Sequence, residues 1–538
     1  MKRTSILVLL TLTLSVAADA ATGRYLIALK HGARPRRVET LSNLRRFESV
    51  DLVAADLTDD DVAALRQSGD VRYVSAVVPR SIAKSGASAP VALQNPLETR
   101  QTVPWGIDKV RARDVWQYSR GEGVNVAVLD TGIDRTHPDI GPNVAGAYDV
   151  FANKGDVIDD NGHGTHVAGT IAALDNGIGV VGVAPRARLW AVKVLNAAGD
   201  GSDETVIAGV DKVLEWKGTL GGNWIVSLSL GSADPSTPEE EAFKRLADAG
   251  VLAVAAAGNR GLPRLDYPGA YPTVLAVGAI DADEKTPNFS SWGTNLSVLA
   301  PGVRVLSSYA VGASLTAAAS FDSGDWMNGY LVTGGAQREV TGTLVNCGYG
   351  SPAEIPPEVR GQIALMQRGQ LYFAEKVRNA VAGGAIGAVI YNSDPSDPRD
   401  WTLIRQDCSV PVQCVPWSED VNFNWPVVIA LRQEDGLAML GRSGRQVTVG
   451  VWPAEYKQLN GTSMATPHVS GIAALLWKLA PAATPEMLRS AINASAHDLG
   501  DRGYDALYGY GLADAFAAAR VLAPQVVIVP PKHRSGGH

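Results

Sequence analysis

Cysteine is scarce in this chain: three occur in 538 residues, Cys347, Cys408 and Cys414, all in one central segment. Such usage excludes a fold built on a disulfide framework. Without a CxxC pair or a histidine close by, it also argues against a structural zinc site. One local disulfide with one thiol left over suits an exported protein, and the sequence does not choose the pair. Charge is sparse as well, at 19% of residues with a formal net charge of -7. No long basic run appears, so binding that rests on neutralising nucleic-acid phosphates is excluded. Past the N-terminus no run is long and apolar enough to cross a bilayer. What remains is a composition with 46% hydrophobic residues, which reads as globular, on a chain too long for one ordinary domain.

The N-terminus reads as a secretory signal over 1–20. Lys2 and Arg3 supply its charge, Ile6 to Val16 its apolar core and Ala18-Asp19-Ala20 its cleavage site. A short membrane anchor is the alternative, and the apolar run is too short for it. The expected location is therefore outside the cell, or the periplasm in a double-membrane bacterium, with no membrane span after signal removal. Residues 21–82 read as a small α+β unit. It has strands at Arg24–Leu29, Val50–Asp56 and Val71–Val77, a polar helical stretch after the first, and a helix capped by Thr58 with Asp59, Asp60 and Asp61 in its first turn. Residues 83–100, rich in Ala, Ser and Pro, read as a linker and processing region.

From residue 101 strand and helix alternate. Strands are expected at 124–130, 187–195, 224–230, 251–257 and 274–281, with helices between them and further helices at 463–479, at 484–494 and from Tyr510 on. The strands are apolar throughout, as in a parallel sheet covered on both faces. The tail 524–538 reads as disordered.

Three stretches carry chemistry. Val-Ala-Val-Leu-Asp130-Thr-Gly ends a strand at the carboxyl edge of the sheet, where α/β proteins place their sites. Asn-Gly-His163-Gly-Thr-His166 opens a helix, and Asn-Gly-Thr-Ser463-Met-Ala opens another. A serine hydroxyl is a weak nucleophile until a histidine takes its proton and a carboxylate orients that histidine. Taken singly these residues have plain readings: a strand-ending aspartate, two histidines three apart on a helix, an N-cap serine. A metal site at His163 and His166 lacks a third ligand nearby and leaves Ser463 unexplained. Position 465 is alanine, so this is not the G-x-S-x-G turn of an α/β-hydrolase. With the chain order Asp, His, Ser, the sequence resembles the subtilases, the subtilisin-like serine peptidases of family S8.

The resemblance implies an α/β fold: a mostly parallel sheet of the seven-stranded subtilase type flanked by helices, with a small α+β prodomain. The catalytic domain would span 101–308 and 454–523. Residues 309–453, through Ile363–Gly369, Phe373–Asn379 and Ala382–Asn392, resemble an inserted, β-rich protease-associated (PA) domain. The 21–82 unit resembles an inhibitory propeptide, making the chain's own propeptide an intramolecular partner. Asp130, His163 and Ser463 would be the triad, with His166 and His468 structural. Asn259, in Ala255-Ala-Ala-Gly-Asn259, would join the Ser463 N–H as oxyanion donor. Gly201 and Ser202 on one side, and Ser229, Leu230 and Gly231 on the other, would pair with an extended peptide. Ala257, Gly258 and Asp266 would bound the first side-chain pocket. Asp266 stands where most such chains carry a small neutral residue, which hints at a basic first residue; the alternative is that it turns outward to Arg264. Gln101, Asp139 and Asn176, with the carbonyls of Leu174, Ile178 and Val180, match the family's structural calcium site; the alternative is a Gly-rich turn after a helix. Four N-x-S/T sequons, at Asn288, Asn295, Asn460 and Asn493, are read as coincidence.

The expected activity is that of a secreted endopeptidase made as a zymogen and acting on protein or peptide substrates through an acyl-enzyme. Its rivals are a non-catalytic peptide binder on the same fold, which predicts damaged motifs, and an acyl-enzyme peptide ligase. The role of the insert is not legible.

Overall fold

The computed structural model describes residues 22–82, 101–311, 315–321, 326–394, 401–407, 415–453 and 455–526. The expected signal, the 83–100 linker, Cys408, Cys414 and all but the first residues of the tail lie outside the described residues. The chain divides into two units, ending at Val77 and beginning at Val78, so the last residues of the expected 21–82 unit belong to the second. Among the described residues no helix is long and apolar enough to cross a membrane.

The first unit is a four-stranded antiparallel sheet in the order Ser42–Phe47, Leu52–Leu57, Gly23–Leu29, Val71–Ala76. Helix Asp59–Arg66 begins with a capping box: Thr58 Oγ1 accepts from Asp61 N, and the Asp61 carboxylate accepts from Thr58 N. The expected polar helix after the first strand shrinks to Arg36–Glu39, and Ser42–Phe47 is instead an edge strand. Leu44 packs against the sheet's core and Phe47 is buried, and that burial outweighs the helix-forming tendency of its arginines.

The second unit is built on seven parallel strands. Their order is Leu296–Pro301, Val274–Ile280, Val251–Ala256, Trp224–Leu228, Asn125–Asp130, Arg188–Lys193 and Val144–Asp149. The two edge strands escaped the sequence reading. Val144–Asp149 is half-buried and lacks the apolar run of the inner strands. Alternate residues face opposite sides. Val126 and Val128 join the core formed with helices His163–Ala172 and Thr462–Leu479. Leu129 lies against Gly209 of helix Asp203–Leu220. The last helix runs Ala515–Leu522, capped by Asp514, and does not begin at Tyr510. Gly511 has φ +104, and Leu512 bridges to Leu299 and His497, so that stretch belongs to the sheet edge.

Strands Val305–Ser308 and Tyr456–Leu459 pair antiparallel, so the chain leaves and returns to the parallel-sheet part of this unit at one point. Between them a closed seven-stranded barrel runs Leu315–Ser320, Trp326–Leu331, Val427–Leu431, Gly387–Tyr391, Ile363–Gln367, Glu339–Asn346 and Gln446–Pro453. Ile363 and Leu365 point inward. Ala364 and Met366 point outward under helix Phe373–Ala382, in a cluster that holds the free, buried Cys347. Burial pushes the Cys347 thiol up to about 11, with Glu354 adding, which leaves it protonated and inert.

Helix Thr462–Leu479 is buried along almost its whole length. Leu476→Ala is expected to cost about 3 kcal/mol, read as a lower denaturant midpoint at unchanged slope.

Candidate active site

The site grows from the sheet. The strands ending at Asp130, Leu228 and Ala256 are neighbours and run parallel, so Asp130, Ser229–Gly231 and Ala257–Asn259 emerge side by side at one carboxyl edge. Asp130 is fully buried. Its Oδ1 lies 2.8 Å from His163 Nδ1 and accepts Thr131 N–H at 2.7 Å. With Nδ1 donating to the carboxylate, His163 Nε2 is the acceptor nitrogen, and it has no hydrogen-bond partner among the described residues. Burial works against the imidazolium. The Asp130 charge and its hydrogen bond outweigh this, Asp159 adds to them, and the His163 pKa stands above the ordinary histidine value.

Asp159 was missed by the sequence reading. It is buried. Its Oδ1 accepts Thr131 Oγ1–H at 2.8 Å and Gly162 N–H at 2.8 Å, and its Oδ2 accepts Thr165 N–H at 2.9 Å and Oγ1–H at 2.6 Å. One carboxylate thus ties the turn after Asp130 to the N-terminus of the His163 helix. A carboxylate four residues before that histidine was its only sequence signal.

Ser463 is the second residue of its helix and not the N-cap, a place held by Gly461. Pro467, four residues on, has no N–H to give the Ser463 carbonyl, which accepts Ser229 Oγ–H instead at 2.7 Å. Ser463 Oγ donates to the Ser229 carbonyl at 3.1 Å. Asn259 Oδ1 accepts Thr462 N–H and Oγ1–H, both at 2.8 Å, which fixes the amide's orientation. A Cβ on Gly461 would lie 3.0 Å from Asn259 Nδ2 and 3.5 Å from Ser463 N, so the two expected oxyanion donors border one small space. Gly461, at φ +150, keeps that space open.

His166 and His468, the two other histidines beside these motifs, differ from His163. His166 Nε2 lies 3.0 and 2.9 Å from the carbonyls of Val305 and Lys457, and burial, helped by His163, drops its pKa to about 3. His468 donates through Nδ1 to the Met464 carbonyl at 2.8 Å, and burial lowers it to about 4. Both are neutral struts.

A stretch of the chain itself lies between the two segments expected to pair with a peptide. Strand Pro79–Ser81 pairs antiparallel with Asp200–Ser202, Arg80 opposite Gly201. On the other side Ser81 bridges to Gly231, with Gly231 N donating to Ser81 O at 2.9 Å. Leu230 is buried. Gly258 abuts Asp266, whose carboxylate a Cβ at 258 would touch. Asp266 is buried, not turned out to Arg264, and pairs with Arg260 at 2.8 Å. A basic first residue thus loses much of its expected attraction, because that carboxylate already has its cation. Burial raises the Asp266 pKa, opposed by Arg260.

Around Gln101 the six expected residues gather. Gln101 Nε2 lies 2.6 Å from the Leu174 carbonyl and 3.2 Å from that of Val180. The buried Asp139 accepts from Asn176 Nδ2 and Val180 N, both at 2.9 Å, and Asn176 Oδ1 accepts Ile178 N–H at 3.1 Å. Among the described residues no group of three or more His, Cys, Asp or Glu could hold a metal ion. This set has one carboxylate, two side-chain amides and main-chain carbonyls. Such oxygen donors fit a hard cation.

The family model described as the subtilase family matches residues 121–335 and 438–511, and the PA domain model matches 340–420. The chain belongs to the subtilase family. Its family match runs past the barrel's first two strands, although the structure places those strands in the barrel. An alkaline protease of Alkalihalobacillus alcalophilus is 42% identical over 267 residues, 49% of this chain and 64% of that relative, so the match spans under two thirds of its length. Subtilisin Savinase of Lederbergia lenta is 49% identical over 39% of this chain and 75% of its own. Among solved structures, the psychrophilic subtilisin-like protease Apa1 of Pseudoalteromonas sp. AS-11 superposes with a TM-score of 0.52 at 28% identity, over 79% of this chain and 99% of that one. Fervidolysin of Fervidobacterium pennivorans, at TM-score 0.57 and 21% identity over 94% of this chain and 62% of its own, shares the fold.

The His163 environment sets a pH response. Only neutral imidazole can take the serine proton, so labelling of Ser463 by a fluorophosphonate should fall as pH drops through a pKa above the ordinary histidine value. In Asp130→Asn the charge that raises this pKa is gone and burial remains. The acid limb should move to lower pH, and the plateau rate should drop by ~10³–10⁴-fold.

Proposed function

We propose that this chain is a secreted serine endopeptidase made as a zymogen. The observation that supports it best is the buried Asp130–His163 pair, with an unpartnered Nε2, at the same sheet edge as Ser463 and Asn259. Ser463, rotating its hydroxyl from the Ser229 carbonyl to His163 Nε2, gives up its proton there and attacks a peptide carbonyl. The oxyanion forms in the space between Asn259 Nδ2 and Ser463 N, donors already in place before charge develops. His163, now charged and held by Asp130, returns the proton to the leaving amine, and water then releases the acyl group by the same route. Undamaged motifs speak against a purely binding role. A ligase would share every step to the acyl-enzyme, and product analysis with an added amine separates the two.

The unit ending at Val77 acts as the inhibitory propeptide, tethering the segment that lies in the cleft. Its expected cost to activity is removed by cleavage. Weighed by intact mass spectrometry, wild type should lose the segment preceding Gln101, while Ser463→Ala keeps it. Retention by both, together with no fluorophosphonate labelling, would overturn the enzymatic reading.

Calcium is the cation we assign to the Gln101, Asp139, Leu174, Asn176, Ile178 and Val180 set. A bound ion there would be structural, fixing the 174–180 loop to the start of the catalytic domain. Chelation should therefore lower the thermal midpoint of Ser463→Ala, and re-added calcium should restore it. An unchanged midpoint would reject the site.

A further inference from the structure

Arg80 is the residue of the cleft strand that the peptide-bond chemistry leaves unexplained. A guanidinium is among the side chains least often fully buried, yet Arg80 and its partner Glu239 are both at 0% side-chain exposure. The pair is bidentate: Arg80 Nε donates to Glu239 Oε1 at 3.0 Å and an Nη donates to Oε2 at 2.7 Å. The other Nη donates to Ser232 Oγ at 2.7 Å and to the Pro79 carbonyl at 2.9 Å.

The pocket is built into the enzyme's own elements. Ser236 caps helix Thr237–Asp248 by accepting from Glu239 N, which sets Glu239 in the first turn. Tyr271 Oη donates to Glu239 Oε2 at 2.9 Å, and Asp203, which accepts Ser236 Oγ–H at 2.6 Å, adds a second acid beside it. Without a guanidinium, the Glu239 carboxylate keeps the Tyr271 hydroxyl in a site that is fully buried when Arg80 is in place, an expensive state for a charge.

The register says where this pocket lies relative to the reaction. Ser81 is bridged antiparallel to Gly231. Two residues further along a bound strand, the partner is Ser229, whose carbonyl receives Ser463 Oγ at 3.1 Å. A peptide in this register therefore presents to Ser463 the carbonyl three residues after its pocketed arginine.

We propose that Glu239, with Ser232 and Tyr271, makes this enzyme select substrates carrying arginine at the fourth residue before the scissile bond. The inference rests on the endopeptidase reading and names the substrate class of that same cleft. In the chain's own sequence the bond so counted is Ala83–Lys84, which lies outside the described residues. Lysine, a single-point donor, cannot reproduce the fork, and citrulline keeps the shape without the charge.

The test uses mature enzyme and the p-nitroanilides of acetyl-Arg-Ser-Ile-Ala and its citrulline, lysine and leucine analogues. Casein hydrolysis and fluorophosphonate labelling run alongside. The arginine peptide should exceed the citrulline and leucine peptides in kcat/KM by on the order of 10- to 100-fold, as expected for charge-assisted hydrogen bonds in a dry site. Lysine should fall between. In Glu239→Gln the arginine-to-citrulline ratio should collapse toward one. Equal turnover of all four peptides by an enzyme that digests casein would overturn the selectivity while leaving the endopeptidase reading intact. A preference that persists in Glu239→Gln would overturn the assignment to this carboxylate. If casein, peptides and label all fail, the endopeptidase reading falls and takes this inference with it. Should Glu239→Gln not fold, the wild-type peptide series still decides.

Discussion

Parallel pairing is the constraint on which the rest of this structure depends. In a sheet whose strands all run one way, every carboxyl end lies on one edge. Asp130, Ser229–Gly231 and Asn259 sit far apart in sequence and reach the same edge because their strands are neighbours in the sheet. The helix bearing Ser463 then needs only one anchoring surface. It has it in the apolar face shared with Val126, Val128, Ile225 and Val254. The barrel leaves this frame undisturbed because it departs and returns through the single pair Val305–Ser308 and Tyr456–Leu459.

Around that edge, burial is used in opposite ways. His166 and His468 are buried beside neutral carbonyls, so burial wins and they stay uncharged. His163 is buried beside a carboxylate, and the carboxylate wins. The same balance operates at Arg80 and Glu239. Burial disfavours the charged Arg80 guanidinium, but its bidentate contact with Glu239 keeps the Arg80 pKa raised despite desolvation. A cleft that holds a buried carboxylate is set to demand a cation, whereas the buried Asp266 already carries its own in Arg260.

Much of this was legible in the chain. The inner strands showed as apolar runs because a doubly covered strand has no polar face to interrupt them. The Thr58 cap was readable because the acids of its helix follow it directly, and the structure adds the reciprocal Asp61 contact. Edge strands such as Val144–Asp149 and Ser42–Phe47 were not, because a half-buried strand carries a mixed pattern that local propensity cannot assign. Asp159 was hidden for another reason: its partners Thr131 and Thr165 lie on both sides of it, and nothing local marks an aspartate that accepts from both. Asp266 shows the converse, a position correctly singled out whose charge was already met by a residue six places away.

By itself the sequence determined the residue types, their order and their turns: an aspartate ending a strand, a histidine and a serine opening helices, glycines where the backbone needs positive φ. Those are local properties, decided by periodicity and steric limits within a few residues. Only the tertiary structure decided which charges meet. It put Glu239 against an arginine 159 positions away, gave Asp266 to Arg260, and let Ser463 lean on the Ser229 carbonyl. Pairing depends on distance and burial in three dimensions, and neither is written in the order of the residues.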